Sequence, residues 1–198
     1  VEVIILAAGR STRMGGPNKL LAQHRGKALV RHVAESAVAA GIGPVSVVVG
    51  HQADQVRAAL AGLDLRFIEN PAFADGLSTS LRAGIGALAP DCGAAVILLG
   101  DMPLVGPAVI RRLAAAYAQT PDAKAVVPTF LGQKGNPVLI ARGLFASVAD
   151  VSGDIGARRL IEDAGGQVVE VAVDDPGALL DIDTPQALRD LAETGTRS

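Results

Sequence analysis

Short apolar runs rich in valine and isoleucine alternate along the chain with segments whose apolar residues recur at helical spacing. The runs lie at residues 1–6, 45–49, 94–99, 125–127, 138–140 and 168–173. The helical segments lie at residues 28–40, 54–61, 78–88, 109–117, 155–164 and 185–192. Such runs indicate buried strands, and strands that alternate with helices predict a mostly parallel sheet covered on both faces. The expected fold is therefore a three-layer α/β/α sandwich.

The length and composition fit one domain spanning residues 1–198. A chain of 198 residues is long enough for one sizeable core, whereas two domains would each be small. Its residues are 49% hydrophobic but include only four Phe, one Tyr and no Trp. We therefore expect a globular core built of Val, Ile, Leu and Ala.

Charge and cysteine content bear on the partners and the compartment. The formal net charge is -2, and no run of Lys and Arg forms the basic stripe that nucleic-acid binding needs. No apolar stretch is long enough to span a membrane, and the first apolar run is too short for a signal-peptide core. The single cysteine, Cys92, cannot form an intramolecular disulfide. The sequence predicts a cytoplasmic protein that binds neither nucleic acid nor a membrane.

The loop after the first strand has the features of an anion site. Leu6, Ala7, Ala8 and Gly9 lead into a glycine-rich stretch, and Arg13 and Lys19 add two cations. Backbone N–H groups converge in such turns, and ligands of parallel sheets bind beyond the carboxyl ends of the strands. The spacing fits neither a Walker A loop nor a dinucleotide fingerprint. A triphosphate is the expected ligand, and an ordinary solvated loop is the alternative.

Carboxylates follow two later segments. Asp101 stands in a G-D-M-P turn directly after the strand at 94–99, and Asp181 and Asp183 alternate in LDIDTP before the last helix. Mg²⁺ takes one or two carboxylates together with phosphate oxygens and water. Asp101 is therefore the leading metal-ligand candidate. Helix capping is the structural alternative for Asp101, and for Asp183 with Pro185 in the first turn of the last helix.

Two further loops carry polar residues before predicted helices. Ser78 or a neighbour is expected to cap the helix that starts near it. Arg158 follows Gly153 and Asp154 at the start of another predicted helix, where a guanidinium beside backbone N–H groups suits a second phosphate. His24, His32 and His51 lie outside these motifs and are expected to be surface or structural residues.

Five elements in the same order give the sequence a family resemblance. They are LAAG with R-M-G and N-K-L, then N-P with G-x-x-x-S-x-R-x-G, then G-D-x-P, then N-P with G-D-x-G-A-R, and finally D-I-D-T-P. The chain resembles the molybdenum cofactor nucleotidyltransferases, and within them the cytidylyltransferase-like branch. The resemblance implies a nucleotide-diphospho-sugar transferase-like, Rossmann-like fold.

The resemblance also implies roles for individual residues. By this resemblance, the nucleotide-binding residues of the chain would be Leu6, Ala7, Ala8, Gly9, Arg13, Lys19, Asn70, Gly76, Ser80 and Arg82. Its catalytic residues are Arg13, Lys19 and Asp101, its Mg²⁺ ligands Asp101 and Asp183 with Asp181 as second choice, and its acceptor residues Asn136, Pro137, Asp154 and Arg158. The family more often has histidine where this chain has Asn136, so a role that requires an imidazole is not expected there.

The implied reaction moves CMP from CTP to the phosphate of a molybdopterin-type acceptor and releases pyrophosphate, with transient contact to a molybdoenzyme or its chaperone. CTP is expected over GTP because guanylyl members usually have glycine at the position of Ala8. Three alternatives stay open: the guanylyl branch, a methylerythritol phosphate cytidylyltransferase, and a non-catalytic cofactor chaperone. The second typically has a basic residue in place of Asp181. The set of Arg13, Lys19, Asp101 and Asp183 argues against the third.

Overall fold

The computed structural model describes residues 1–10, 18–182 and 184–194. Its strands are β1 Glu2–Ala7, β2 Gln23–His24, β3 Lys27–Ala28, β4 Val45–Val49, β5 Arg66–Glu69, β6 Ala94–Leu99, β7 Ala125–Phe130, β8 Gln133–Lys134, β9 Val138–Ala141 and β10 Val168–Ala172. Its α-helices are α1 Leu29–Ala40, α2 Ala53–Ala59, α3 Leu77–Gly86, α4 Pro107–Gln119, α5 Arg158–Ala164 and α6 Pro185–Thr194. Short 3-10 turns connect several of them.

An eight-stranded sheet forms the centre of the molecule. Its order is β10-β7-β9-β6-β1-β4-β5, with β8 paired to β7. Strand β9 runs antiparallel to both β6 and β7, whereas the β6–β1, β1–β4, β4–β5 and β7–β10 pairs are parallel. The mostly parallel sheet expected from the sequence is confirmed, with β9 as the inserted antiparallel strand.

Helices cover both faces of this sheet. One apolar cluster joins alternate residues of β1 and β4 to Val33 of α1, Val56 of α2 and Ile110 of α4. The other joins the intervening residues of the same strands to Leu81 of α3 and Leu160 of α5. Every residue of β1 is buried, as a central strand between two layers requires. The three-layer α/β/α class is thus confirmed.

The topology brings several loops to one edge of the sheet. The parallel strands β6, β1, β4 and β5 all end there. Strand β7 ends there as well, because β9 is antiparallel to both β6 and β7, so these two strands share one direction. Because β9 runs in the opposite direction, its first residue, Val138, lies at that same edge. The Asn136–Pro137 pair before β9 therefore joins the loops that follow the parallel strands. This is where ligands of open α/β sheets bind.

Several local expectations need correction. Strand β5 was not expected, because only Phe67 and Ile68 of its four residues are apolar. Ser78 does not cap α3: the helix begins at Leu77 with Gly76 as N-cap, and Ser78 is buried. The helix expected from residue 155 begins at Arg158 instead, after a 3-10 turn. Among the described residues, no helix combines the length and apolarity needed to cross a membrane.

Candidate active site

Lys19 and Asp101 meet at the carboxyl edge of the sheet. Lys19 opens a 3-10 turn whose cap is the Asn18 side chain, which accepts the Leu20 N–H at 3.1 Å. The Lys19 ammonium donates to Asp101 Oδ2, and the two side chains are only 15% and 14% exposed. Sequence reasoning selected both residues, and the structure pairs them directly.

The turn that carries Asp101 is held tightly against β1. The Gly100 N–H donates to the Leu6 carbonyl at 3.0 Å. A Cβ added at Gly100 would lie 3.1 Å from that carbonyl oxygen and 3.3 Å from a methyl of Leu20, so the close approach favours glycine here. The strand end thereby fixes where the Asp101 carboxylate lies.

The segment before the last helix runs alongside the same turn. The Ile182 N–H donates to the Asp101 carbonyl at 3.0 Å, and the Ile182 side chain packs with Leu29 and Leu191. The backbone at Asp181 therefore lies next to the turn that carries Asp101. Asp183 and Arg13 lie outside the described residues. The Ala187 N–H donates to Thr184 Oγ1 at 3.1 Å, which gives α6 a hydroxyl cap.

The carboxylate oxygens of Asp101 suit a hard cation that takes its remaining oxygen ligands from a bound substrate and water. In the part of the chain that the structure describes, no three His, Cys, Asp or Glu side chains come together as a metal site. Mg²⁺ commonly takes one or two protein carboxylates and completes its shell with phosphate oxygens and water. The Lys19 ammonium already stands as a cation against the Asp101 carboxylate. Asp101 therefore fits the role of a metal ligand.

The end of β1 shapes the loop that the sequence assigned to the nucleotide. Ala7 and Ala8 are buried, and the Ala8 carbonyl accepts the His51 N–H at 3.2 Å. A Cβ added at Gly50 would lie 2.9 Å from the Ala8 methyl and 2.7 Å from Phe73. Among the residues that the structure describes, none lies within 4 Å of a Cβ added at Gly9. The Ala8 methyl is thus packed in the core, whereas no described residue crowds the backbone at Gly9.

Asn70 and Ser80 form a buried network behind this edge. The Asn70 amide donates to Thr79 Oγ1 at 2.9 Å and to Ser80 Oγ at 3.0 Å, and its carbonyl oxygen accepts the Ala72 N–H at 3.0 Å. Asn70 and Ser80 are 3% and 4% exposed. Both side chains hold the loop after β5 onto α3, and any contact with a nucleoside stays a prediction.

Arg82 binds backbone carbonyl oxygens of a distant segment. Its guanidinium donates to the Val151 carbonyl at 2.9 Å and to the Ala149 carbonyl at 3.4 Å. It therefore ties α3 to the segment before α5. The structure does not bring Arg82 to the cleft described next.

A cleft of about 970 Å³ opens at the carboxyl edge on the α3–α5 side of the sheet. Apolar side chains from the sheet, among them Leu6, Leu99 and Val138, form its floor. Four polar or charged candidates from the sequence line it: Asn136, Asp154, Arg158 and Asp181. The structure thus groups most of the predicted acceptor residues in one cavity.

Two lining residues were missed by sequence reasoning. Lys134, two positions before Asn136, pairs with Glu170 at 2.8 Å. Glu162 accepts the Arg158 Nε–H at 3.1 Å within α5. Lys134 could have been selected from the sequence, because it lies only two residues before the asparagine-proline motif. Lys134 and Arg158 are thus each held by an exposed carboxylate, which a phosphate group can replace.

The Asn136–Pro137 segment is fixed from both sides. Its peptide bond is cis, and the Asn136 N–H donates to the Ala178 carbonyl at 2.8 Å. The Gly135 N–H donates to the Pro128 carbonyl at 2.9 Å. A Cβ on Gly135 would lie 2.2 Å from the Ala178 carbonyl oxygen, so no other residue fits there without a backbone shift. Asn136 is therefore presented to the cleft by a rigid frame.

Comparison with known proteins places the chain in a family. Residues 3–170 match the model of the MobA-like NTP transferase domain. The bifunctional protein GlmU of Halorhodospira halophila is 31% identical over 98% of this chain, which spans about a third of the length of such relatives (35% here). A nicotine blue oxidoreductase of Paenarthrobacter nicotinovorans is 29% identical over 95% of this chain and 94% of its own.

Solved structures agree with this family in fold. Rv0371c of Mycobacterium tuberculosis superposes with a TM-score of 0.85 and 31% identity over 97% of each chain, and its manganese complex with 0.80 over 98% of each chain. A nucleotidyl transferase of Methanothermobacter, Mth528, gives 0.84 at 24% identity over 99% of this chain and 97% of its own. The fold is that of the nucleotide-diphospho-sugar transferases, and the chain belongs to the MobA-like NTP transferase family of nucleotidyltransferases.

Proposed function

We propose that this protein transfers CMP from CTP to the phosphate of a molybdopterin-type acceptor and releases pyrophosphate. The observation that carries the proposal is the Lys19–Asp101 pair at the carboxyl edge, beside a cleft lined by Asn136, Asp154 and Arg158. A phosphate-binding cation, a metal-binding carboxylate and an acceptor-sized cavity are the parts that nucleotidyl transfer needs.

The chemistry requires positioning and charge neutralisation and no covalent intermediate. An oxygen of the acceptor phosphate attacks the α-phosphorus of the nucleotide and forms a new P–O bond. The bond from the α-phosphorus to its bridging oxygen breaks, and pyrophosphate leaves with that oxygen. Lys19, with Arg13 as a second expected cation, holds the leaving phosphates as they gain charge.

Asp101, with Asp183 as the expected second carboxylate, would hold Mg²⁺ on the α-phosphate side. The bound ion would supply charge neutralisation to the phosphate oxygens. A related protein, Rv0371c, has been solved with manganese, which supports a divalent metal for this chain as well. The close contact of Lys19 with Asp101 further implies that the ammonium moves toward the phosphates when metal and nucleotide bind.

The cleft suits a bulky acceptor that combines an apolar body with a phosphate. Its volume, about 970 Å³, lies at the upper end of small-molecule sites. The apolar floor would contact a ring system, while Lys134 and Arg158 at the rim would exchange their carboxylate partners for the acceptor phosphate. We further propose that the product passes to a molybdoenzyme or its chaperone by transient contact.

Pyrophosphate release tests the reaction. The protein is incubated with Mg²⁺ and each nucleoside triphosphate in turn, with either molybdenum-loaded molybdopterin or methylerythritol phosphate as the acceptor and with Asp101→Asn as the inactive control. We expect fastest release with CTP. Faster release with GTP would assign the guanylyl branch, and release only with methylerythritol phosphate as acceptor would assign that cytidylyltransferase. No release in any arm would refute the proposed reaction and leave a non-catalytic role.

A further inference from the structure

The first turn of α3 is bound by a loop distant in sequence. Gly153, Asp154 and Gly156, which precede α5, contact Gly76 and Leu77 at the start of α3. The Leu77 N–H donates to Asp154 Oδ1 at 3.2 Å, across 77 residues of chain. We refer to these five residues as the α3 clamp. It joins the segment assigned to the nucleotide to the segment assigned to the acceptor.

The hydrogen bond of the clamp supplies what α3 lacks locally. The first N–H groups of a helix have no partner within the helix, and a side-chain oxygen normally accepts one of them. The N-cap of α3 is Gly76, which has no side chain, and Ser78 is buried and makes no cap. The Asp154 carboxylate takes that place, and its negative charge also suits the positive end of the helix.

Two glycines allow the backbones to come this close. A Cβ added at Gly76 would lie 2.7 Å from the carbonyl carbon and oxygen of Gly153, and Gly76 has a φ of +107°. A Cβ added at Gly156 would lie 2.8 Å from a methyl of Leu77. Backbone crowding therefore requires glycine at Gly76, and the positive φ of +57° favours glycine at Gly156, so both loops are adapted to this close contact.

From this geometry we infer that Asp154 is a positioning residue. It holds the first turn of α3, and through it the buried Asn70–Ser80 network, in register with the cleft, and it does not bind the acceptor phosphate. A carboxylate would repel a phosphate, whereas it stabilises a helix N-terminus. Loss of the clamp should therefore weaken binding of the nucleotide first. This inference rests on the proposed function for the identity of the ligands.

The test compares Asp154→Ala with Asp154→Asn. An asparagine Oδ1 still accepts the Leu77 N–H but carries no charge, whereas alanine removes the acceptor. We expect Asp154→Ala to weaken CTP binding, measured by calorimetry, by about 2- to 30-fold, the range of a lost cap, while its kcat at saturating CTP changes less. Asp154→Asn should restore most of the affinity. Hydrogen exchange of the Leu77 amide should accelerate in the alanine variant and stay slow in the asparagine variant.

The matched control is Asp150→Ala, which removes an exposed carboxylate that does not line the cleft. Its CTP affinity and Leu77 exchange should equal those of the wild type. An Asp154→Asn variant as impaired as Asp154→Ala would overturn the inference, because the charge would then be what matters. Unchanged Leu77 exchange in Asp154→Ala would overturn it as well. If the wild type binds no nucleotide, the proposed function fails, and the exchange measurement still tests the clamp.

Discussion

At the scale of single residues, the charge of Asp101 is predicted to matter more for turnover than for folding. The side chain lies at a strand end, 14% exposed, and touches Lys19 rather than the core. Asp101→Asn keeps the shape and removes the charge. We expect turnover to fall by about 100-fold or more, while the midpoint of thermal unfolding moves by less than about 5 °C.

Pyrophosphate release at saturating Mg²⁺ and thermal unfolding check this prediction together. Wild-type turnover in Asp101→Asn would show that the carboxylate holds no essential metal. Loss of the folded state would show that its pairing with Lys19 is structural.

Lys19 is predicted to affect phosphate and metal binding in opposite directions. Its ammonium neutralises Asp101 in the ligand-free protein and is expected on the phosphates during transfer. Lys19→Ala should therefore lower nucleotide affinity and kcat together. It should also raise Mn²⁺ affinity of the nucleotide-free protein by about fivefold, since a partly exposed ion pair is worth about 1 kcal/mol.

Electron paramagnetic resonance of free Mn²⁺ measures the second effect without any turnover. Arg189→Ala is a suitable control, because that guanidinium lies on the exposed face of α6 and contacts Gln186. Weaker Mn²⁺ binding in Lys19→Ala would mean that the ammonium supports the metal site instead of competing with it.

Ala8 is the residue on which the choice of base is predicted to depend. Its methyl is buried beside Gly50, so it can act on the base only through the placement of the loop after β1 and not by direct contact. Ala8→Gly should loosen that loop and so admit a purine more readily, without inverting the preference for CTP. We expect the ratio of kcat/KM for GTP to that for CTP to rise by about tenfold, within the usual range for one methyl group. An unchanged ratio would remove Ala8 from the determinants of specificity.

At the scale of elements, the sequence predicted the strands better than their pairing. The run at 138–140 was identified as a strand, yet its antiparallel direction follows from contacts with β6 and β7 that no local pattern encodes. Lys19 and Asp101 could be predicted from local features, because Lys19 lies in a glycine-rich loop and Asp101 directly follows the end of a strand. The contacts of Arg82 and Asp154 were missed because their partners lie 69 and 77 residues away.

The packing of α3 on β1 gives an element-scale test of stability. A Cβ at Gly84 would lie 2.7 Å from Cγ2 of Ile4, a fully buried β-branched side chain that cannot turn aside. Gly84→Ala should therefore lower the free energy of unfolding by about 1–3 kcal/mol. Gly86 lies in the same helix, and no atom of the described residues comes within 4 Å of its added Cβ.

Gly86→Ala is thus the matched control for Gly84→Ala. It should leave stability unchanged or raise it by up to about 1 kcal/mol, because alanine is the better helix former. Urea denaturation of both variants gives the comparison. Equal effects of the two substitutions would mean that α3 does not pack on β1 as closely as described.

At the scale of the whole molecule, several arginines join one segment of the fold to another. Arg31, Arg66, Arg82, Arg111 and Arg142 each donate to backbone carbonyl oxygens of another segment. They join the layers of the fold. At the carboxyl edge, Lys19 beside the cleft pairs with a carboxylate, and so do Lys134 and Arg158 in the lining of the cleft. Phosphates can displace such carboxylates, so these three cations can exchange their partners for phosphates of a ligand at this edge.

A buried histidine is predicted to make global stability depend on pH. His24 is 6% exposed in the β2–β3 hairpin, with its ring 5.4 Å from that of His32. Burial foremost, and then the nearby charges of His32 and Arg25, lower the pKa of His24 below its ordinary value of 6.5. The folded protein therefore holds this imidazole neutral at a pH where the unfolded chain protonates it.

The sign of the effect follows from proton uptake on unfolding. The stability contributed by neutral His24 is complete above the unfolded pKa of 6.5 and is lost as the pH falls from there through the lower folded pKa, by at most about 1.4 kcal/mol per pH unit. Urea denaturation between pH 5.5 and 8 measures the slope, and His24→Gln should flatten it whatever its own stability at pH 8. A wild-type slope in His24→Gln would mean that another group takes up the proton on unfolding, and that His24 binds a proton equally in the folded and unfolded states.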